Sequence, residues 1–193
     1  MSFYINLDSR EDRREQFEEE CKKMNINVER FSAIKNSNGA IGCSESHIAV
    51  LKRARDLKLD SVIIFEDDFQ FLVSRKELDE IVSNLPNNYD IVMLSYAIKQ
   101  YQPFNDMFGK VIESQTFSGY IVHSRFYDTI ISNWETSLEL LKLLPDDYGI
   151  YAIDMYSKRL QPCSNWYFSL KRVGKQRPGF SNIEKCEVDY GGC

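Results

Sequence analysis

Nowhere in the 193 residues do apolar side chains run for the ~20 positions that a membrane-spanning helix needs. The opening stretch MSFYINLDSR has no basic region followed by an apolar core. No signal peptide is expected, and the chain reads as soluble and cytoplasmic. The five cysteines, Cys21, Cys43, Cys163, Cys186 and Cys193, contain no CxxC pair. That spacing argues against a zinc-ribbon type of site, and scattered thiols in odd number fit a reducing compartment. An excess of positive charge is missing too. Lys and Arg total 24 against 29 Asp and Glu, a net charge of −5, which argues against a nucleic-acid partner. The sequence has no internal repeat, low-complexity tract or linker-like segment.

Hydrophobic residues make up 43% and charged residues 27%, a globular balance in a chain long enough for one core. SFYINL (2–7) is apolar on both faces and predicts a buried strand. In SREDRREQFEEECKKM, Phe17, Cys21 and Met24 fall at i, i+4 and i+7, a narrow helical stripe that Asp8 or Ser9 can cap. VERFSAI (28–34) predicts a strand and KNSNGAIG (35–42) a loop. SESHIAVLKRARDL (44–57) predicts a helix capped by Ser44, with Ile48, Leu51 and Ala54 facing inward. SVIIF (61–65) is a strand, and Ser74 with Glu77 makes a capping box for a helix over 74–85. Further strands are expected at 89–96, 116–124 and 166–170, and helices at 125–134, 137–144 and 152–160. A long loop with Pro103 and Gly109 is expected between 96 and 116. Strand and helix alternate through the first hundred residues, which implies right-handed crossovers and a mostly parallel central sheet flanked by helices, an α/β fold.

The segment VIIFEDDFQF (62–71) carries the chemistry. Three acids, Glu66, Asp67 and Asp68, follow a buried strand. Ligands of open α/β sheets bind at the carboxyl ends of strands. With period two, Glu66 and Asp68 point one way and Asp67 the other. Two hard carboxylates on one side suit Mg²⁺ or Mn²⁺ completed by water and phosphate oxygens. The alternatives are a solvated turn or an Asp nucleophile of a phosphatase. Arg10, Arg13 and Arg14, and Lys171, Arg172, Lys175 and Arg177, are basic clusters that can hold a phosphorylated ligand or simply face solvent.

YINLDSREDRREQF, GAIGCSESHIAVLKRA (39–54) and VIIFEDDFQF, in that order and spacing, resemble glycosyltransferase family 25, the lipooligosaccharide-type and collagen galactosyltransferases. TFSGYIVHSRFYDTI, YAIDMY and KQRPGFSNI extend the resemblance over about residues 3 to 184. The sequence departs from the family pattern at Ala40, Ala152 and Asn182. The resemblance implies a GT-A-like (nucleotide-diphospho-sugar transferase) fold, with residues 1–184 as one glycosyltransferase domain and 185–193 as a flexible tail.

It also implies a UDP-sugar donor, a Mn²⁺ or Mg²⁺ cofactor in a DxD-like motif, and a hydroxyl acceptor on a glycan or protein. Glu66 and Asp68 would hold the cation, Asp68 foremost, with Asp67 behind them or, if the strand bends, as the direct ligand. Asn6, Leu7 and Asp8 would flank the nucleotide, and Arg10 and Arg13 would meet the nucleotide or its phosphates. Gly42, Ser46 and His47 would lie at the same mouth, with Gly42 letting a backbone approach the ligand. Asp154 would be the base of an inverting transfer, or else a metal ligand. Gln176 and Ser181 are placed on the donor or acceptor side. A degenerate nucleotide-sugar-binding or partner-binding module is the competing expectation. The pattern leaves the oligomeric state open.

Overall fold

Strand β1 (Ser2–Asn6) is buried along its whole length because both its faces are covered. A computed structural model describes residues 1–181 and 183–189. Asn182 and residues 190–193, with Cys193, lie outside the described residues. After β1 come helix α1 (Glu11–Lys23), β2 (Glu29–Ser32), α2 (Gly39–Asp56), β3 (Ser61–Glu66) and β4 (Phe69–Phe71). Helix α3 (Arg75–Ser83) leads to β5 (Ile91–Met93), β6 (Ala97–Pro103), β7 (Phe108–Gln115) and β8 (Gly119–His123). Then follow α4 (Tyr127–Leu143), α5 (Tyr148–Tyr151), α6 (Ile153–Tyr156) and β9 (Trp166–Ser169). Three short strands close the described chain: β10 (Gly174–Gln176), β11 (Gly179–Ser181) and β12 (Cys186–Val188).

Eight strands form one sheet in the order β2-β1-β3-β8-β5-β9-β7-β6. β1 pairs in parallel with both β2 and β3, and β5 in parallel with β9. β8 runs against β3 and β5, and β7 against β9 and β6, so the remaining strands share one direction. Alternation along β1 builds the two layers. Phe3 and Ile5 join the core under α2 and α4, with Leu51, Ala54 and Trp134. Tyr4 joins the opposite core, with Phe17 and Cys21 of α1 and Leu78 and Ile81 of α3.

Several local expectations change. Helix α2 begins at Gly39, five residues before Ser44. Asn38 accepts from the amides of Ala40 and Ile41 at 3.0 and 3.2 Å, whereas the Ser44 hydroxyl turns back to the Ala40 carbonyl at 2.9 Å. Both residues are good caps, and the one that meets the first free amides starts the helix. Neither Asp8 nor Ser9 caps α1. Its N-cap is Arg10, without a side-chain bond, because Asp8 is taken by Arg30 and Ser32. The capping box of Ser74 and Glu77 forms as expected. The expected loop at 97–115 is instead the β6–β7 hairpin, with Pro103 at the end of an edge strand where its missing amide costs least.

β9 is not the last strand. β10 returns to pair with β4, aligning Gln176 with Phe69. Phe69 locks this pairing. A Cβ on Gly174 would stand 2.0 Å from its ring and one on Gly119 2.3 Å, so only glycine on both sides admits the phenyl group. Within the segment expected as a tail, Cys186–Val188 pairs with β11.

Candidate active site

The carboxyl ends of β1 and β3, the N-terminal turns of α2 and the returning β10–β12 segment enclose a cavity of about 380 Å³. Its floor is the acidic run. β3 ends at Glu66, and residues 67 and 68 form a turn, so strand alternation stops where it was needed. All three carboxylates line the cavity. Arg13 reaches them from α1, with Nη1 at 3.1 Å from Asp67 and 3.0 Å from Asp68. Asp67 also accepts from Asn6 Nδ2 at 2.7 Å. The turn is held by main-chain bonds: the amide of Glu66 donates to the Ser118 carbonyl, and the amide of Arg177 donates to the Asp68 carbonyl at 2.7 Å.

The acids differ in how they are satisfied. Burial pushes the Glu66 carboxyl up, but the hydrogen bond and charge of His47 and the nearby Arg13 outweigh it and hold the group below its ordinary value. Burial and the negative Glu66 beside it raise Asp68 to about 7. The nearby Gln176 amide pulls the carboxyl the other way, but among the described residues no donor reaches its buried Oδ1 within hydrogen-bonding distance. Asp67 is also raised by burial, against the pull of Arg13 and Asn6.

The α2 wall is fully used. Ser46, almost wholly buried, donates to the Gly42 carbonyl at 2.7 Å and accepts from the Ile34 amide at 2.8 Å. His47 Nδ1 lies 2.7 Å from the Tyr120 hydroxyl and Nε2 3.2 Å from Glu66 Oε1. Cys43 Sγ lies 3.7 Å from that same oxygen. A Cβ at Gly42 would stand 2.8 Å from the Ile34 carbonyl. The backbone that Gly42 admits is therefore the chain's own rim at 34–36.

Other expected residues are placed differently. Leu7, Arg10, Gln176 and Ser181 line the cavity, but Asn6 and Asp8 do not. Asn6 is buried beneath it, between Asp67, the Arg10 carbonyl and Arg30. Asp8 turns outward to Arg30. Arg10 forms a fork on Asp12 at 2.8 and 2.9 Å, and Arg13 is committed to the acids, so both guanidinium groups already hold carboxylates. Asp154 lies outside the lining, at the start of α6, with its carboxyl raised by burial against backbone donors at Met155 and Thr116. Thr116 has a φ of 82°, a strained value for a β-branched residue.

Sequence reasoning did not point to Cys43 or Lys35, and it offered Tyr120 only as an aromatic that could stack on a sugar, whereas its hydroxyl meets His47 Nδ1 at 2.7 Å. Lys35 lines the rim, and no ion pair to it is found among the described residues. Lys35 stands in the segment that predicts a loop. Cys43 stands inside the GAIGCSES stretch, and that stretch is the only signal that could have pointed to it.

The profile of glycosyltransferase family 25 (LPS biosynthesis protein) matches residues 35–137, 103 of the 193, from the cavity rim through the acidic run and β8. The chain belongs to glycosyltransferase family 25. A Haemophilus influenzae protein named "Putative glycosyltransferase" is 44% identical over 64 residues, which cover 33% of this chain and 23% of that relative. This family member thus aligns with about a quarter of that relative's length. A197 from STIV superposes over 97% of this chain and 92% of its own, with a TM-score of 0.54 and 13% identity, a likeness of fold. A glycosyltransferase involved in the glycosylation of the major capsid of PBCV-1 covers 95% of each chain at a TM-score of 0.49 and 9% identity. The architecture, a large sheet with six strands in one direction flanked by helices, is GT-A-like.

Proposed function

We propose that this family 25 chain is a metal-dependent inverting glycosyltransferase that moves a hexose, galactose or glucose, from a UDP-sugar to a hydroxyl of a glycan or protein. The observation that carries the reading is the buried, unpartnered oxygen of Asp68 beside Glu66 on the cavity floor. A buried acceptor without a donor is costly, and a hard cation removes that cost. When bound at Glu66 and Asp68, Mn²⁺ or Mg²⁺ would neutralise the charge that grows on the diphosphate leaving group.

The chain's own residues divide the remaining work. Ile5, Leu7 and Ala33 form an apolar wall suited to the nucleoside. Lys35 on the rim, without an ion pair among the described residues, meets the phosphates, whereas Arg13 keeps Asp67 and Asp68 in place. Asp154 takes the proton of the acceptor hydroxyl as that oxygen bonds to the anomeric carbon and the bond to the diphosphate breaks. Burial raises its carboxyl, which makes it a better base near neutral pH. Asp154 lies outside the cavity lining, so either role, base or metal ligand, requires its carboxylate to turn toward Glu66 when substrate binds.

The ion pairs of Arg13 favour a second reading, a nucleotide-sugar-binding module without transfer, because they already balance part of the acidic charge. UDP release from a panel of UDP-sugars, with and without Mn²⁺, separates the two. Metal-dependent release from one donor, lost in Asp68→Asn, is the expected result. Metal-dependent UDP binding without release from any donor, acceptors included, would favour the binding module.

A further inference from the structure

Helix α2 sets Cys43 and His47 four residues apart, so both side chains leave the same face one turn apart. That face meets Glu66 at the end of β3. Cys43 Sγ lies 3.7 Å and His47 Nε2 3.2 Å from Glu66 Oε1, and all three donor atoms fall within 4.8 Å of one another. Around a tetrahedral zinc ion, bonds of ~2.0–2.3 Å put neighbouring donor atoms roughly 3.3–3.7 Å apart. The two edges that meet at Glu66 have the lengths of a tetrahedral face.

The chemistry of the set agrees with its geometry. Thiolate and carboxylate bring two negative charges and imidazole none, which balances a dication. Sulfur and imidazole favour a borderline-soft ion over Mg²⁺. The supporting layer is also in place. The Tyr120 hydroxyl at 2.7 Å from His47 Nδ1 fixes the ring and leaves Nε2 toward Glu66, and Tyr120 and Trp134 pack against the imidazole. Cys43, His47 and Glu66 all line the cavity, so a fourth position faces it.

We infer that Cys43, His47 and Glu66 form a three-ligand site for a zinc-type dication, separate from the oxygen pair of Glu66 and Asp68 and sharing Glu66 with it. Binding deprotonates the Cys43 thiol, and the proton leaves to solvent. The site requires neither donor nor turnover, so it stands independently of the transfer reading.

Co²⁺ is the probe, titrated into protein carrying Cys163→Ser, Cys186→Ser and Cys193→Ser. One equivalent is expected to give a thiolate-to-cobalt charge-transfer band with the intense visible bands of tetrahedral coordination, both displaced by Zn²⁺. Cys43→Ser should abolish the charge-transfer band, and His47→Gln should weaken Co²⁺ binding at least about tenfold. Asp68→Asn should leave the spectrum intact. Absence of the thiolate band in the starting protein, or its survival in Cys43→Ser, would overturn the site. The starting protein reports by itself, so the test holds even where a ligand variant fails to fold. Loss of the band in Asp68→Asn would overturn the separation of the two sites.

Discussion

On the α2 side of the cavity, Ser46 gives its hydroxyl to Gly42 and takes the amide of Ile34, and both nitrogens of His47 have partners. Across Glu66, on the turn, Asp67 and Asp68 share the Arg13 guanidinium, and among the described residues Asp68 keeps an oxygen without a hydrogen-bond partner. Both walls are buried and polar, but Ser46 and both His47 nitrogens find partners within the chain, whereas the acidic turn leaves an Asp68 oxygen over. Buried polar groups are usually satisfied, and Tyr127, Asn133 and Trp166 also hold an unpartnered atom, so the Asp68 oxygen stands out because it faces the cavity beside two other carboxylates. On the proposed reading, the Gly42–Ser46 part of α2 is the frame and the acidic turn is the working surface.

Substitutions on the two walls should therefore fail in opposite ways. The largest effect is expected from Asp68→Asn. UDP release should fall by at least about 100-fold, the scale of removing one group that stabilises transition-state charge. The same variant should be more stable than wild type at pH 8 without metal, by on the order of 1–2 kcal/mol in urea unfolding, because a disfavoured buried charge is gone. A loss of stability would place Asp68 in the frame instead.

Gly42→Ala tests the frame. Its Cβ would stand 2.8 Å from the Ile34 carbonyl. Backbone must shift, and we expect a cost of about 2–3 kcal/mol in urea unfolding, with donor affinity falling as the rim moves. Unchanged stability would mean that the rim gives way freely.

The pH dependence follows from Asp68. Its carboxyl ionises near its ordinary value of 3.8 when unfolded and at about 7 when folded. Between these values the folded chain holds the extra proton, so this group's contribution is fully present below 3.8 and is lost as pH rises through 7. Metal-free protein should lose stability across that window, and Asp68→Asn should flatten the loss. Parallel profiles for the two proteins would count against the raised carboxyl.

The smallest effect belongs to Lys35, on the rim and outside both polar networks. Lys35→Ala should raise KM for the donor about three- to tenfold, with kcat and unfolding midpoint unchanged. A matching fall in kcat would move Lys35 from binding into the chemistry.

What the sequence could disclose follows the range of the interactions. The capping box of Ser74 and Glu77 spans three residues and forms as its pattern implies. The strand ahead of Glu66 was legible from its unbroken apolar run, since burial on both faces leaves no alternation. The start of α2 was not, because Asn38 and Ser44 are equally good caps and only the tertiary path of the rim selects between them. Gly42 was legible as a close approach but not as an approach to Ile34. The pairing of β4 with β10 joins Phe69 to Gln176, and the contact that requires it, a ring between two glycines, has no local signature. Cys43 looked like any reduced thiol because its partner, Glu66, lies on another element. Arg10 and Arg13 were readable as basic but not as already committed, since their acids come from Asp12 and from the strand-end turn.

If the acidic turn is the working surface, a cation must complete it and bring in the donor diphosphate. Calorimetric titration of UDP, with and without Mn²⁺, on wild type and Asp68→Asn puts that to the proof. Binding should require Mn²⁺ and disappear in Asp68→Asn while the variant stays folded. UDP binding of equal strength without Mn²⁺, or undiminished in Asp68→Asn, would contradict the cation-bridged donor site.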